Sequence, residues 1–306
     1  MIVDCHGHYF SQKSVTYYAK RYATDEWAKR IQAGFIQVLS RAQEATTVQS
    51  WIESLDRYGV DKVLLQAAPF GDNDAVAEFA IKAPDRFVGI ANIDFIDPEG
   101  SNSVKEVERA KQLGLKGIGE IYPPVGPWDP ADKKCFPIYE KAQELGLPIM
   151  IHLCSESFPA PYVNLRYNDP YMLDTVLRNF PDLIFIFCHM GGDYVHHLYV
   201  LMKARMNVYA EISSISSRGG VPSPYHGLFN ISGKSVLEKF LAIRLGSQRL
   251  LWGTDVQAPY DSDMEKDNVR GTIKDNPVVK LMEELNLNEQ DKANILGENA
   301  KKVFKL

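Results

Sequence analysis

The chain has 306 residues, 45% of them hydrophobic and 24% charged, with a formal charge of −5 and a pI of about 5.8. That length sustains a large core, and the composition is that of a globular protein rather than a disordered or fibrous one. No Lys/Arg run offers nucleic acid an electrostatic footprint, and no apolar stretch approaches the ~20 residues of a membrane span, so neither partner is expected.

In chain order, short apolar runs alternate with amphipathic stretches. The first run, IVDCH (2–6), follows Met1 directly. It is preceded by neither a basic n-region nor a long apolar h-region, so a cytoplasmic protein is expected. KVLLQAA (62–68), FVGIANID (87–94), LKGIGEIY (115–122), PIMIHLC (148–154), LIFIFCHM (183–190), VYAEISSI (208–215) and LLWGTDV (250–256) follow. Most are near-continuously apolar, which suits parallel strands covered on both faces. Between them lie helical patterns. Residues 46–58 offer Thr46 or Thr47 as an N-cap and Gly59 just past the end. Residues 137–145 carry Ile138, Ala142 and Leu145 on one face, with Pro137 early and Gly146 after. Residues 72–83, 170–179, 193–205, 233–245 and 289–304 read similarly.

This alternation predicts an α/β fold, a (β/α)8 TIM barrel spanning 1–306 as one domain and closed by a C-terminal helix. Residues 9–45 exceed a simple loop and are expected to form a helical insertion over the barrel mouth. The Ser/Gly/Pro-rich stretch 216–232 predicts a long loop over the same face. Cys5, Cys135, Cys154 and Cys188 form no CxxC pair, so neither a zinc knuckle nor a redox motif is indicated.

Functional side chains of such a barrel gather at the C-terminal ends of the strands. The first strand ends in His6 and His8, which share a face with each other and with Asp4 because alternate residues of a strand do. The fourth ends in Glu120, the fifth in His152, the sixth in His189 and the eighth in Asp255. One histidine so placed is most simply a satisfied core residue. Four of the seven histidines, with two carboxylates, at the ends of five strands are poorly explained that way. Imidazole nitrogens with a carboxylate oxygen suit Zn²⁺ or a similar divalent ion, which gives the set His6, His8, His152 and Asp255. His196 and His197 read as structural. Arg166, Arg218 and His226 are candidate substrate contacts, the arginines because guanidinium matches a carboxylate bidentately. A surface arginine without a specific contact is the plain alternative.

HGH on the first strand, IMIHL on the fifth, FCHMGGD on the sixth, LLWGTD on the eighth and the closing ILGENAKKVFKL resemble the amidohydrolase superfamily. More narrowly they resemble its amidohydrolase-2 branch, that of aminocarboxymuconate-semialdehyde decarboxylase-like metal-dependent hydrolases and decarboxylases. The resemblance runs over residues 2–306 in the expected order. It implies that His6 and His8 are a metal pair, that His152 and Asp255 complete the ligands, and that Asp255 also accepts a proton. It implies that His189 polarises the substrate or assists proton transfer. GIGEI resembles the segment bearing a metal-binding glutamate in TatD-type nucleases, so Glu120 is a candidate ligand or bridge to a second ion. A Glu120 that accepts a hydrogen bond from a ligand histidine or from the substrate is the equal alternative.

The resulting expectation is a metal-dependent hydrolase acting on a small, carboxylated molecule through a metal-activated water. Zn²⁺ is the expected ion, with Mn²⁺, Co²⁺ and Fe²⁺ as alternatives. A metal-dependent non-oxidative decarboxylase of an aromatic or unsaturated acid is the alternative activity. A metal-free lactonase-like or ligand-binding barrel is a second alternative. The resemblance also implies a homo-oligomer, a dimer or tetramer.

Overall fold

The computed structural model describes residues 1–21, 26–67, 72–93, 101–123, 129–153, 164–213, 232–263, 265, 269 and 271–306. All eight apolar runs form strands: β1 (Val3–Tyr9), β2 (Lys62–Ala67), β3 (Phe87–Ile90), β4 (Ile118–Ile121), β5 (Ile149–Ile151), β6 (Phe185–Phe187), β7 (Val208–Glu211) and β8 (Leu250–Leu251). They pair in parallel, in the orders β1-β2-β3 and β4-β5-β6-β7-β8. Two parallel bridges, Ala91 to Ile118 and Gly7 to Val256, join the two groups and close the ring.

Alternation along the strands sorts side chains into two layers. Cys5, Leu64, Ile90, Met150, Ile186 and Leu251 belong to one buried cluster, inside the ring, which Val303 and Phe304 of the C-terminal helix join. Strand residues of the other parity, such as Val63, Leu65, Phe87 and Phe185, pack outward in the larger cluster with the helices. Of the two N-cap candidates before the helix Val48–Tyr58, Thr47 takes the role: its side chain accepts from the Ser50 amide, and Gly59 ends the helix at φ 85°.

Two helices were not anticipated, Ser101–Gln112 and Pro277–Glu284. The first is polar except for a narrow stripe in which Val107 and Ala110 are buried, so its periodicity is faint. The helix expected over 193–205 begins only at Val195, because a turn at Cys188–Tyr194 comes first. The terminal helical stretch is broken by a π turn at Asn294–Glu298.

The insertion after β1 forms helices Gln12–Arg21 and Glu26–Ala45. Val15, Leu39 and Ala42 pack with Phe10 and Ala258 in a separate small cluster. Since Phe10 follows β1 and Ala258 follows β8, the insertion sits over the C-terminal mouth. Among the described residues no helix is long and apolar enough to cross a membrane. Cys154, Arg218, His226 and nearly all of 216–232 lie outside the described residues.

Candidate metal centre

The mouth is built where β1 and the segment after β8 meet. The β1–β2 register shifts between Asp4 and Gly7, a local irregularity of the kind that re-aims side chains. The Asp255 amide donates to His6 O at 2.7 Å, and the His8 amide donates to Val256 O at 2.8 Å. Gly253 makes this approach possible: a Cβ there would stand 2.6 Å from Glu211 Oε1 and 2.7 Å from His6 Cβ. His189 and Asp255 both adopt left-handed backbone, at φ 56° and 59°. Asp and His enter that region more readily than most residues, and such conformations concentrate at functional sites.

Glu120, only 2% exposed, lies at the centre. Its Oε2 is 3.4 Å from His6 Nε2 and 4.0 Å from His8 Nε2. Asp255 Oδ1 is 3.5 Å from the same His6 nitrogen and 3.1 Å from the same His8 nitrogen. The other oxygen, Oε1, is 2.8 Å from His152 Nδ1 and 3.1 Å from His189 Nε2. Those two nitrogens are 3.2 Å apart. The histidine expected as the fourth ligand, His152, thus faces the opposite oxygen of Glu120 from His6 and His8.

The residues fit a divalent cation on their own chemistry. His6 Nε2 and Glu120 Oε2 are buried without a hydrogen-bond partner. His6 Nδ1 lies 2.9 Å from Glu211 Oε2, so the neutral ring donates there and turns its Nε2 lone pair toward Glu120. Two lone pairs face each other across 3.4 Å. Ligand atoms of a tetrahedral ion bound at ~2.1 Å stand about 3.4 Å apart, close to the separations among His6, His8, Glu120 and Asp255.

The electrostatics agree. Burial works against a charged His6, but Glu120 and Glu211 outweigh it and hold its pKa well above the usual imidazole range. Burial likewise works against an ionised Glu120, yet the neighbouring His152 and His6 hold its carboxyl well below the usual range. Without a cation, a proton on His6 is the positive charge that these carboxylates favour; a bound cation would take its place and leave the ring neutral, with Nε2 free to ligate. Burial, with Asp4 and Glu211 near Cys5 and Glu120 near Cys188, pushes both thiols well up, so they stay neutral in the inner core.

Two further residues, Glu211 and Ser213, join the centre without standing out in the sequence. Glu211 is wholly buried at the end of β7. The only signal for it was a carboxylate closing an otherwise apolar run, the same signal that marked Glu120. Arg166 stands exposed in the turn Leu165–Asn168. His196 is exposed, and His197 pairs with Asp169 at 2.9 Å and stacks on Tyr171 at 4.2 Å.

The amidohydrolase family profile matches residues 3–306. The chain is 25% identical over 248 residues to the 2-amino-3-carboxymuconate-6-semialdehyde decarboxylase of Dictyostelium discoideum, covering 74% of this chain and 64% of that protein. It is 27% identical over 246 residues to the 2-keto-4-carboxy-3-hexenedioate hydratase of a Sphingobium species, covering 64% of this chain and 67% of that one. The chain therefore spans about two-thirds of the length of these curated relatives. The 5-carboxyvanillate decarboxylase of Sphingomonas paucimobilis superposes with a TM-score of 0.69 at 17% identity, over 100% of this chain and 99% of that one. A manganese complex of the 5-carboxyvanillate decarboxylase of Novosphingobium aromaticivorans gives 0.64 at 19%, over 100% and 96%. At these identities the structural likeness is one of fold.

Proposed function

The chain belongs to the amidohydrolase family over residues 3–306, and from that premise we propose that it is a metal-dependent hydrolase of a small, carboxylated molecule. The observation that carries the proposal is that one buried carboxylate, Glu120, addresses two histidine clusters with its two oxygens. His6, His8, Asp255 and Glu120 Oε2 would hold one divalent cation. Glu120 Oε1, His152 and His189 would hold a second.

Such cations supply Lewis acidity, which lowers the pKa of water toward neutrality and polarises a carbonyl oxygen. The chain's own residues do the rest. Asp255, whose side chain is 20% exposed where His6 and His8 are nearly sealed, lies between that pair and the mouth. It takes the proton of the attacking water and returns it to the leaving group. His189 stabilises charge developing on the substrate oxygen if a single ion occupies the site. Tyr122 stacks on His152 at 4.0 Å and braces that ring. Arg166 is the described candidate for binding a substrate carboxylate. A carboxylated substrate is supported by the compounds named for the two curated relatives. The ligand types favour Zn²⁺, and the manganese complex of the fold relative keeps Mn²⁺ as the alternative.

A carboxy-lyase is the second reading, favoured by the 25% identity to a decarboxylase. Elemental analysis of protein purified without added metal or chelator separates the two, together with a panel of carboxylated lactones, esters and amides run beside aromatic and unsaturated acids. Two ions per chain with hydrolysis supports the proposal. One ion with release of CO₂ overturns it in favour of the carboxy-lyase, and absence of metal after reconstitution overturns both.

A further inference from the structure

Glu211 and Ser213 are connected to more than one histidine. Glu211 Oε2 is 2.9 Å from His6 Nδ1 and 2.9 Å from Ser213 Oγ. Glu211 Oε1 accepts from the Ser213 amide at 2.6 Å. The His189 amide also reaches Glu211 Oε2, at 3.3 Å, and His189 Nδ1 lies 2.8 Å from Ser213 Oγ.

The direction of each hydrogen bond follows from proton counting. A carboxylate only accepts, and a serine hydroxyl has one proton to give. Ser213 gives it to Glu211, so its oxygen must accept from His189 Nδ1–H. Glu211 likewise takes the Nδ1–H of His6. With both rings neutral, this places the proton on Nδ1 and leaves Nε2 as the ligand atom, that of His6 toward Glu120 Oε2 and that of His189 toward Glu120 Oε1 and His152 Nδ1. With left-handed backbone at His189, its amide and Nδ1 face Glu211 and Ser213 while its Nε2 faces Glu120.

We propose that Glu211 and Ser213 are positioning residues that set the tautomers of His6 and His189, so that one carboxylate beneath the site prepares a ligand for each of two cations. This rests on the two-cation reading above. It makes an unequal prediction. Glu211 serves both rings, whereas Ser213 serves His189 alone.

The experiment is a Zn²⁺ titration of the full chain against a chromophoric chelator, resolving stoichiometry and stepwise affinity for wild type, Glu211→Gln, Ser213→Ala and Ser213→Thr. The Gln amide is nearly isosteric but cannot satisfy both sides. It either donates to His6 Nδ1, forcing that ring's proton onto Nε2, or turns its NH₂ against the Ser213 N–H. Loss of such partners costs about 10–100-fold in metal affinity. Glu211→Gln is expected to weaken both steps by that factor, Ser213→Ala only one, and Ser213→Thr, which keeps the hydroxyl, is expected to restore it. Thermal melts of the chelated variants that stay close to wild type exclude a general loss of structure. Wild type that binds two ions while Glu211→Gln binds them as tightly overturns this inference alone. Equal losses in both steps for Ser213→Ala also overturn it. Wild type that takes up no Zn²⁺ overturns it together with the hydrolase reading.

Discussion

Asp4 on β1 and Glu120 on β4 are both sequestered, at 0% and 2% exposure. Asp4 Oδ1 accepts from the His6 and Thr254 amides at 2.9 and 3.0 Å. Its Oδ2 accepts from the Thr254 and Tyr260 hydroxyls at 2.5 and 2.7 Å. Burial pushes its pKa up to about 6 against those donors, none of them charged. Glu120 has histidines for neighbours instead, and one of its oxygens has no donor. The difference separates two tasks. A carboxylate that ties the start of β1 to the segment after β8 is satisfied by the protein itself. A carboxylate left with a bare oxygen before a nitrogen lone pair is satisfied only when positive charge arrives.

Substitutions at the two carboxylates should therefore fail in different ways. Glu120→Gln is expected to lower turnover by about 10³-fold or more, to reduce bound metal from two ions to at most one, and to leave the melting temperature in chelator little changed. Turnover within tenfold of wild type would remove Glu120 from the site. Asp4→Ala leaves four donors without an acceptor. It should cost about 3 kcal/mol in urea unfolding, with Zn²⁺ still bound below the transition. A cost under about 1 kcal/mol would end the view of Asp4 as a clasp.

Gly253→Ala tests the seam between the two regions, since the new methyl would press on both His6 and Glu211. An affinity for Zn²⁺ lower by about 10–100-fold is expected, with the barrel intact by circular dichroism. The smallest effect belongs to His197→Asn. Its ring pairs with Asp169 rather than with the Glu120 cluster and is part-exposed, so stability should change by about 0.5 kcal/mol or less and turnover not at all. A large loss of turnover would extend the site to that face.

Much of the site was legible because barrel strands announce themselves locally. An apolar run ending in a polar residue states both a strand and the residue at its end, and His6, His8, Glu120, His152, His189 and Asp255, which the structure gathers at the candidate centre, are legible that way. Glu211 obeys the same rule and was passed over because a single carboxylate beside two serines carries no histidine to draw attention. The helix Ser101–Gln112 was missed for a different reason: its buried stripe is too narrow for periodicity to register.

The sequence by itself determined the strand order, the closure into a barrel and the polar residues at its rim, since each follows from alternation, run length and the handedness of crossovers. Only the tertiary structure decided which of those residues meet. That Glu120 stands between the histidines, that His152 faces its other oxygen, and that Glu211 reaches both His6 and His189 depend on the β1 irregularity, the room left at Gly253 and the left-handed turns at His189 and Asp255. These are backbone adjustments that shift side chains by ångströms. Hydrogen bonds and cation binding respond to such distances, whereas hydrophobic periodicity does not.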